Sequence, residues 1–187
     1  MSSFDLTNHF LIAMPSMADP NFSRTVTYVC AHNDDGAIGI VINRPMEIDL
    51  GEVFAQMKIE NCGESAPNSQ PVYQGGPVHR DRGFVIHCPA ADWESTIRVT
   101  DELAVSTSRD ILEAINNGTG PQDTLVALGY AGWGAGQLEQ EMGQNAWLSG
   151  PATMNILFHT PPLQRWEGAA AAMGIDLNSL SNDVGHA

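Results

Sequence analysis

Over Arg24–Ala31 the side chains alternate, with Val26, Tyr28 and Cys30 on one side and Thr25, Thr27 and Val29 on the other. A period of two predicts a strand. His9–Met14, an apolar run closed by Pro15, and Ala37–Ile42, a β-branched run, predict strands before and after it. Between the second and third lies His32-Asn33-Asp34-Asp35-Gly36. Asp-Gly between two strand runs predicts a hairpin, because glycine supplies the positive φ of a tight turn. Hairpin pairing is antiparallel, which argues against a purely parallel α/β sheet.

Asn43-Arg44-Pro45 ends the third strand. Asp49, with Glu52 three residues on, reads as a capping box opening a short helix, Leu50–Met57. Ile59–Gln70 is polar with Gly, Pro, Asn and Ser and reads as a loop. Val72-Tyr73-Gln74 leads into Gly75-Gly76-Pro77; Gly83–Cys88 is a predicted strand and Ile97–Thr100 a short one. Thr107 or Ser108 opens a helix with Ile111, Leu112 and Ile115 on one face, closed at Asn117-Gly118. Thr124–Tyr130 is the most apolar strand. Gly132–Gly136 then reads as a tight turn, followed by a helix over Gln137–Met142. Trp147-Leu148 and Asn155–His159 read as the last strands. Thr160-Pro161-Pro162 starts a final helix, Leu163–Met173, stopped by Gly174. No repeat or linker interrupts the pattern, so one α+β domain, 1–187, is the simplest account.

Composition narrows the function classes. The chain has 187 residues, enough for one full core. It carries 22 acidic and 8 Lys or Arg residues, a net charge of −14, which repels nucleic-acid phosphates. The basic residues cluster only at His79, Arg80 and Arg82, so no polybasic tail or membrane patch is present. Cys30, Cys62 and Cys88 are odd in number and lack CxxC spacing, against a disulfide framework or zinc knuckle. The run at Phe10–Met14 lacks the basic lead of a signal peptide, and no apolar run reaches membrane-spanning length. A cytoplasmic protein with reduced thiols, no membrane contact, no cofactor and no metal is expected.

Candidate chemistry is sparse. Gly132-Trp133-Gly134-Ala135-Gly136 lies where phosphate loops occur, but Gln137 breaks the dinucleotide fingerprint and no GK[ST] follows. Glu139 and Glu141 would also repel a phosphate from that helix start. No GxSxG elbow appears, and His87 and Cys88, adjacent on a strand, point to opposite faces, so no catalytic residue is assigned. The histidines His9, His32, His79, His87, His159 and His186 show no metal-ligand spacing. Gly75, Gly76, His79, Arg80 and Arg82 combine backbone N–H groups with guanidinium forks, which suit a carboxylate or phosphate; Arg44 joins them only if the fold brings it there. The competing account is a turn whose arginines pair with local acids such as Asp81.

Taken together, several segments carry a family pattern. They are Asn8–Pro15, Asp19-Pro20, Phe22, Thr25-Val26, Gly36–Gly39, Asn43-Arg44-Pro45, Gly75-Gly76-Pro77-Val78, Arg82–His87, Thr107-Ser108, Asp110–Leu112, Gly129–Glu139 (with Gly132, Trp133, Gly134, Gly136 and Gln137), Ala146–Leu148, Phe158, Trp166 and Gly185-His186-Ala187. The chain resembles the bacterial YqgE/AlgH proteins nearly end to end. The resemblance implies a single α+β domain, with a branched mixed sheet curled into a pseudo-barrel and helices around it. It implies no reaction and supplies no catalytic residues. Some members carry the label of a transcriptional regulator, linked to control of alginate production. This chain shows no helix-turn-helix with a basic face, so any regulatory role is expected to act through a protein or a small ligand. A non-catalytic regulatory or adaptor protein ranks first. A binder of, or enzyme acting on, an anionic small molecule at the Gly/Arg segment ranks second, and direct DNA binding last.

Overall fold

The computed structural model describes residues 4–60 and 69–184. In chain order the strands are β1 (His9–Ala13), β2 (Val26–Asn33), β3 (Gly36–Val41), β4 (Pro45–Asp49), β5 (Pro71–Gln74), β6 (Val78–Cys88), β7 (Thr96–Arg98), β8 (Ala104–Ser106), β9 (Asp123–Gly134) and β10 (Trp147–Pro151). The α-helices are α1 (Leu50–Gln56), α2 (Arg109–Asn117), α3 (Gln137–Gly143), α4 (Arg165–Ala171) and α5 (Leu177–Val184). Cys62 and the closing Gly185-His186-Ala187 lie outside the described residues, as does most of the loop expected over Ile59–Gln70.

The sheet runs β10-β1-β2-β3-β9-β6-β8-β7, with β4 and β5 branching from it. Pairing is antiparallel except between β5 and β9, which run parallel, so the sheet is mixed. β9 creates the branch. Its residues Val126–Leu128 pair with β5, and Ala131–Gly134 pair with β3. Gly129, at φ +82°, stands between the two registers. One edge of a strand thereby serves two neighbours in succession, and the sheet curls into a half-barrel. A left-handed residue in mid-strand is the ordinary device for such a bend.

Alternation then sorts the core. Phe84 and Ile86 of β6, with Leu125 and Ala127 of β9, face the concave side, under Ile156, Leu157, Trp166 and Ala170. Val85 and Val126 face the convex side, under Leu50 and Phe54 of α1 and Ile111 and Ile115 of α2. Burial on both faces explains why β9 reads as nearly continuous apolar sequence. A third cluster joins Leu11, Val29, Trp133, Leu138 and Trp147. Each fully buried aliphatic side chain contributes about 1.5–3 kcal/mol relative to exposure.

The β2–β3 hairpin forms as expected, with Asn33 opposite Gly36. The Asp49 carboxylate accepts from the Glu52 N–H at 3.0 Å, so α1 is capped as the sequence predicts. Ser108 stands at the N-cap position of α2 but gives its hydroxyl to the Asp110 carboxylate rather than accepting from the helix, and Gly118 ends the helix in the left-handed conformation at φ 78°.

Five expectations need correction. Asn155–His159 is a π-helical turn rather than a strand, seating both Ile156 and Leu157 in the core under the concave sheet. The helix expected over Leu163–Met173 is a 3-10 turn at Pro162–Gln164 followed by α4, and α5 continues beyond it. Gly132–Gly134 is strand, not turn, because β9 stays paired with β3 through Gly36↔Gly134. His79–Arg82 likewise belongs to β6, with a register shift between Val78 and Gly83. β4 and β8 were absent from the sequence pattern, one being mostly exposed and the other three residues long and wholly buried.

Candidate functional site

The curl leaves a hollow of about 240 Å³ at the mouth of the half-barrel. Cys30 of β2 and Ile38 of β3 line one side, Phe84 of β6 and Tyr130 of β9 the floor, and Ile97 and Val105 of β7 and β8 the other side. Arg82 stands over it, its guanidinium carbon 5.8 Å from the Phe84 ring centroid. Phe84 meets Tyr130 edge-on at 5.5 Å, and the His79 ring stacks on Tyr130 at 5.9 Å. His79 reaches that position from a left-handed backbone, φ 47°, within the irregular start of β6. The Cys30 thiol donates to the Ile38 carbonyl, and burial pushes it up to about 12, so it is an inert thiol.

Period two on β6 decides which charges meet this hollow. Arg82 and Phe84 line it, whereas Asp81, Gly83 and Val85 line a second hollow on the convex face, beside Ser106, Ser108 and Arg109. Asp81 therefore does not neutralise its neighbour. Among the described residues the ion pairs are His32–Glu139, Arg98–Asp92, Arg109–Glu113 and His159–Asp123, and none involves Arg80 or Arg82. Both arginines are exposed.

The rest of the expected anion site is placed elsewhere. Gly75 and Gly76 are buried at the branch. The Gly75 N–H donates to the Leu128 carbonyl at 2.8 Å, and the Gly75 carbonyl accepts from Val41 N–H at 2.8 Å. A Cβ on Gly76 would lie 2.1 Å from the Tyr130 carbonyl carbon, and one on Gly129 would lie 2.5 Å from the Gly76 oxygen. These glycines let two chains touch. Pro77 separates them from β6. Arg44 lines a different hollow with Arg24, Leu163 and Trp166, and donates to the Asn21 and Ser23 carbonyls at 2.8 and 2.9 Å. Burial, partly offset by Asp19, lowers its pKa. Asn43 accepts from Val26 N–H and donates to the Arg24 carbonyl, fixing the crossing that leads to Pro45 and β4.

The second glycine-rich motif is also architectural. Gly136, at φ 75°, precedes α3, and Gln137 accepts from Gly134 N–H at 3.0 Å and donates to Glu141. Glu141 Oε1 takes the indole N–H groups of Trp133 (3.2 Å) and Trp147 (2.9 Å). Glu139 meets Nε2 of buried His32 at 2.9 Å, and that hydrogen bond holds its carboxyl below the usual range. Leu6 N–H donates to His32 Nδ1, so the ring proton sits on Nε2 and is given to Glu139.

Sequence reasoning missed one polar chain. His87 Nδ1 faces the Pro89 carbonyl at 3.1 Å and therefore carries the proton, leaving Nε2 to accept from Ser106 Oγ at 2.8 Å. Ser106 in turn lies 2.8 Å from Thr96 Oγ1. His87 and Ser106 are fully buried, and burial pulls the His87 pKa down, so it is neutral near pH 7. Only the β6–β8 register, Val85 opposite Ser106, brings His87 diagonally across to it. Among the described residues no group of three or more His, Cys, Asp or Glu could hold a metal.

A family model described as AlgH-like matches residues 10–178. The chain is 56% identical over 180 residues to a UPF0301 protein of Nitrosococcus oceani, covering 96% of each. It is 50% identical over 186 residues to a UPF0301 protein of Vibrio parahaemolyticus, covering 98% of this chain and all of that one. Its fold is similar to the solution structure of AlgH from Pseudomonas aeruginosa, with TM-score 0.81 and 51% identity over 97% of this chain and 95% of that one. A crystal structure from Corynebacterium diphtheriae shares the fold at TM-score 0.75 and 19% identity, over 97% of this chain and 94% of that one.

Proposed function

The chain belongs to the AlgH-like family, and from that premise we propose that it is a regulatory or adaptor protein that works by binding rather than by catalysis. Its contact surface is the mouth of the half-barrel. The observation that carries this reading is the pairing of an exposed arginine with exposed apolar side chains there. Arg82 stands without an ion pair among the described residues beside Ile38, 37% exposed, and Ile97, 47% exposed. Isolated apolar residues on a surface mean little, but an apolar hollow rimmed by an unpaired guanidinium has the composition of a recognition patch. The whole chain acts as one unit in the cytoplasm, and its control of expression is indirect. A field set by a net charge of −14 opposes contact with a nucleic-acid backbone. Among the described residues no helix is long and apolar enough to cross a membrane.

Native mass spectrometry of the protein isolated gently from its own host tests the reading. A bound protein whose recovery falls in an Arg80→Glu/Arg82→Glu variant is the expected result. The bare mass for both forms overturns it. A second reading, binding of an anionic small molecule, is favoured by the same Arg82, and a small mass excess lost in the variant would select it.

A further inference from the structure

We infer that the mouth of the half-barrel is a binding site for a small apolar acid carrying one negative charge, with its carboxylate on Arg82 and its hydrocarbon body against Phe84, Ile97 and Val105. The inference rests on the mouth being the binding surface and adds the ligand's chemistry. Size comes first. The hollow is about 240 Å³, below the range of roughly 300–1,000 Å³ that drug-sized ligands occupy. It suits one ring or a short chain. Its walls come next. The lining is mostly apolar, with hydroxyls from Ser95, Thr96, Thr107 and Tyr130 among it, so a fully polar anion would lose more hydration there than the walls replace.

Charge then sets the head group. Arg82 offers a planar fork that matches a carboxylate through two parallel hydrogen bonds. No acid among the described residues pairs with it, so an incoming carboxylate displaces no partner. A phosphate dianion would bring a second charge into a hollow lined by one arginine, in a protein already at −14. The floor is preformed. The Phe84–Tyr130 edge contact and the His79 stack fix both rings before any ligand arrives. Burial raises the pKa of the Cys30 thiol, so this wall sulfur is a poor nucleophile.

The test is a backbone-amide NMR titration of the full chain with phenylacetate and hexanoate, with phenylacetamide and inorganic phosphate as controls. Saturable shifts confined to the neighbourhood of Phe84, Ile97, Val105 and Tyr130 are expected for both acids. Arg82→Gln should weaken them at least about tenfold, the loss of a charge-assisted hydrogen bond, and Arg82→Lys should restore part of the affinity. Because residue 82 is exposed, an unchanged amide spectrum will show that these variants fold. Equal binding of phenylacetamide, tighter binding of phosphate, or no saturation by either acid at tens of millimolar overturns the inference. If the acids fail while a protein partner is still lost from the Arg80/Arg82 variant, the ligand assignment falls and the adaptor reading stands. If the acids bind and no partner is recovered, the reverse holds.

Discussion

Gly75-Gly76-Pro77 and Val78–Arg82 are neighbours in sequence and opposite in use. Gly75 and Gly76 are enclosed where β3, β5 and β9 meet, with the Gly75 N–H and carbonyl both hydrogen-bonded and no room for a side chain at Gly76. A few residues later Arg80 and Arg82 reach solvent, unpaired among the described residues, and Arg82 stands at the rim of a mostly apolar hollow. Arg44 sharpens the contrast. It is an arginine in an equally characteristic motif, yet two carbonyls hold its guanidinium. A distinctive run of residues can therefore mark a folding requirement and a surface available for binding side by side. Whether each group's hydrogen-bonding capacity is already used separates the two.

The largest test of that division is Gly76→Ala. A Cβ 2.1 Å from the Tyr130 backbone, on a residue at φ 156°, cannot be relieved by a rotamer change, and a loss of about 3 kcal/mol or more is expected. A thermal midpoint within a degree or two of wild type would show that the branch is not rigid. Next is Glu141→Ala, which leaves two indole N–H groups without their acceptor. About 1–3 kcal/mol should be lost in denaturant unfolding, with a change in tryptophan emission. An unaltered midpoint would mean that water replaces the carboxylate at no cost.

A smaller effect is pH-dependent. His87 has its pKa lowered mainly by burial, with Arg98 adding to this and the Pro89 hydrogen bond opposing it. The unfolded chain therefore takes up this proton first as pH falls, and stability present above about pH 6.5 declines below it. The slope of unfolding free energy between pH 7 and 5 should be shallower in His87→Gln than in wild type; equal slopes would assign the acid sensitivity to other groups. The smallest effect is on the free side of the comparison. Arg80→Gln and Arg82→Gln should each change stability by no more than about 0.5 kcal/mol, since neither is buried or ion-paired among the described residues. A larger loss would move these arginines into the structural class with Arg44.

Much of the fold was legible because its signals are local. The Asp-Gly turn, the Asp49 cap and the Gly118 stop each act within four residues, and all three appear where they were expected. The elements misread have no such local signature. The Asn155–His159 run is apolar in a way that fits a strand or a helical turn equally, and only its seat under the concave sheet selects the turn. The expected anion site was half legible. His79 and Arg82 do reach the mouth, but Gly75, Gly76 and Arg44 do not join them, because backbone contacts with β3 and β9 enclose the glycines and the Asn21 and Ser23 carbonyls of the turn before β2 hold the arginine.

Strand periodicity, turn chemistry, capping, net charge and family membership were all determined by the sequence itself, since each depends on residue type and short spacing. The branch at Gly129, the separation of Arg82 from Asp81 onto opposite hollows, and the pairing of His32 with Glu139, 107 residues apart, were decided by tertiary structure. The reason is register. Which residue stands opposite which is fixed only when the curled sheet buries both faces at once, and a shift of one residue would reverse every side chain.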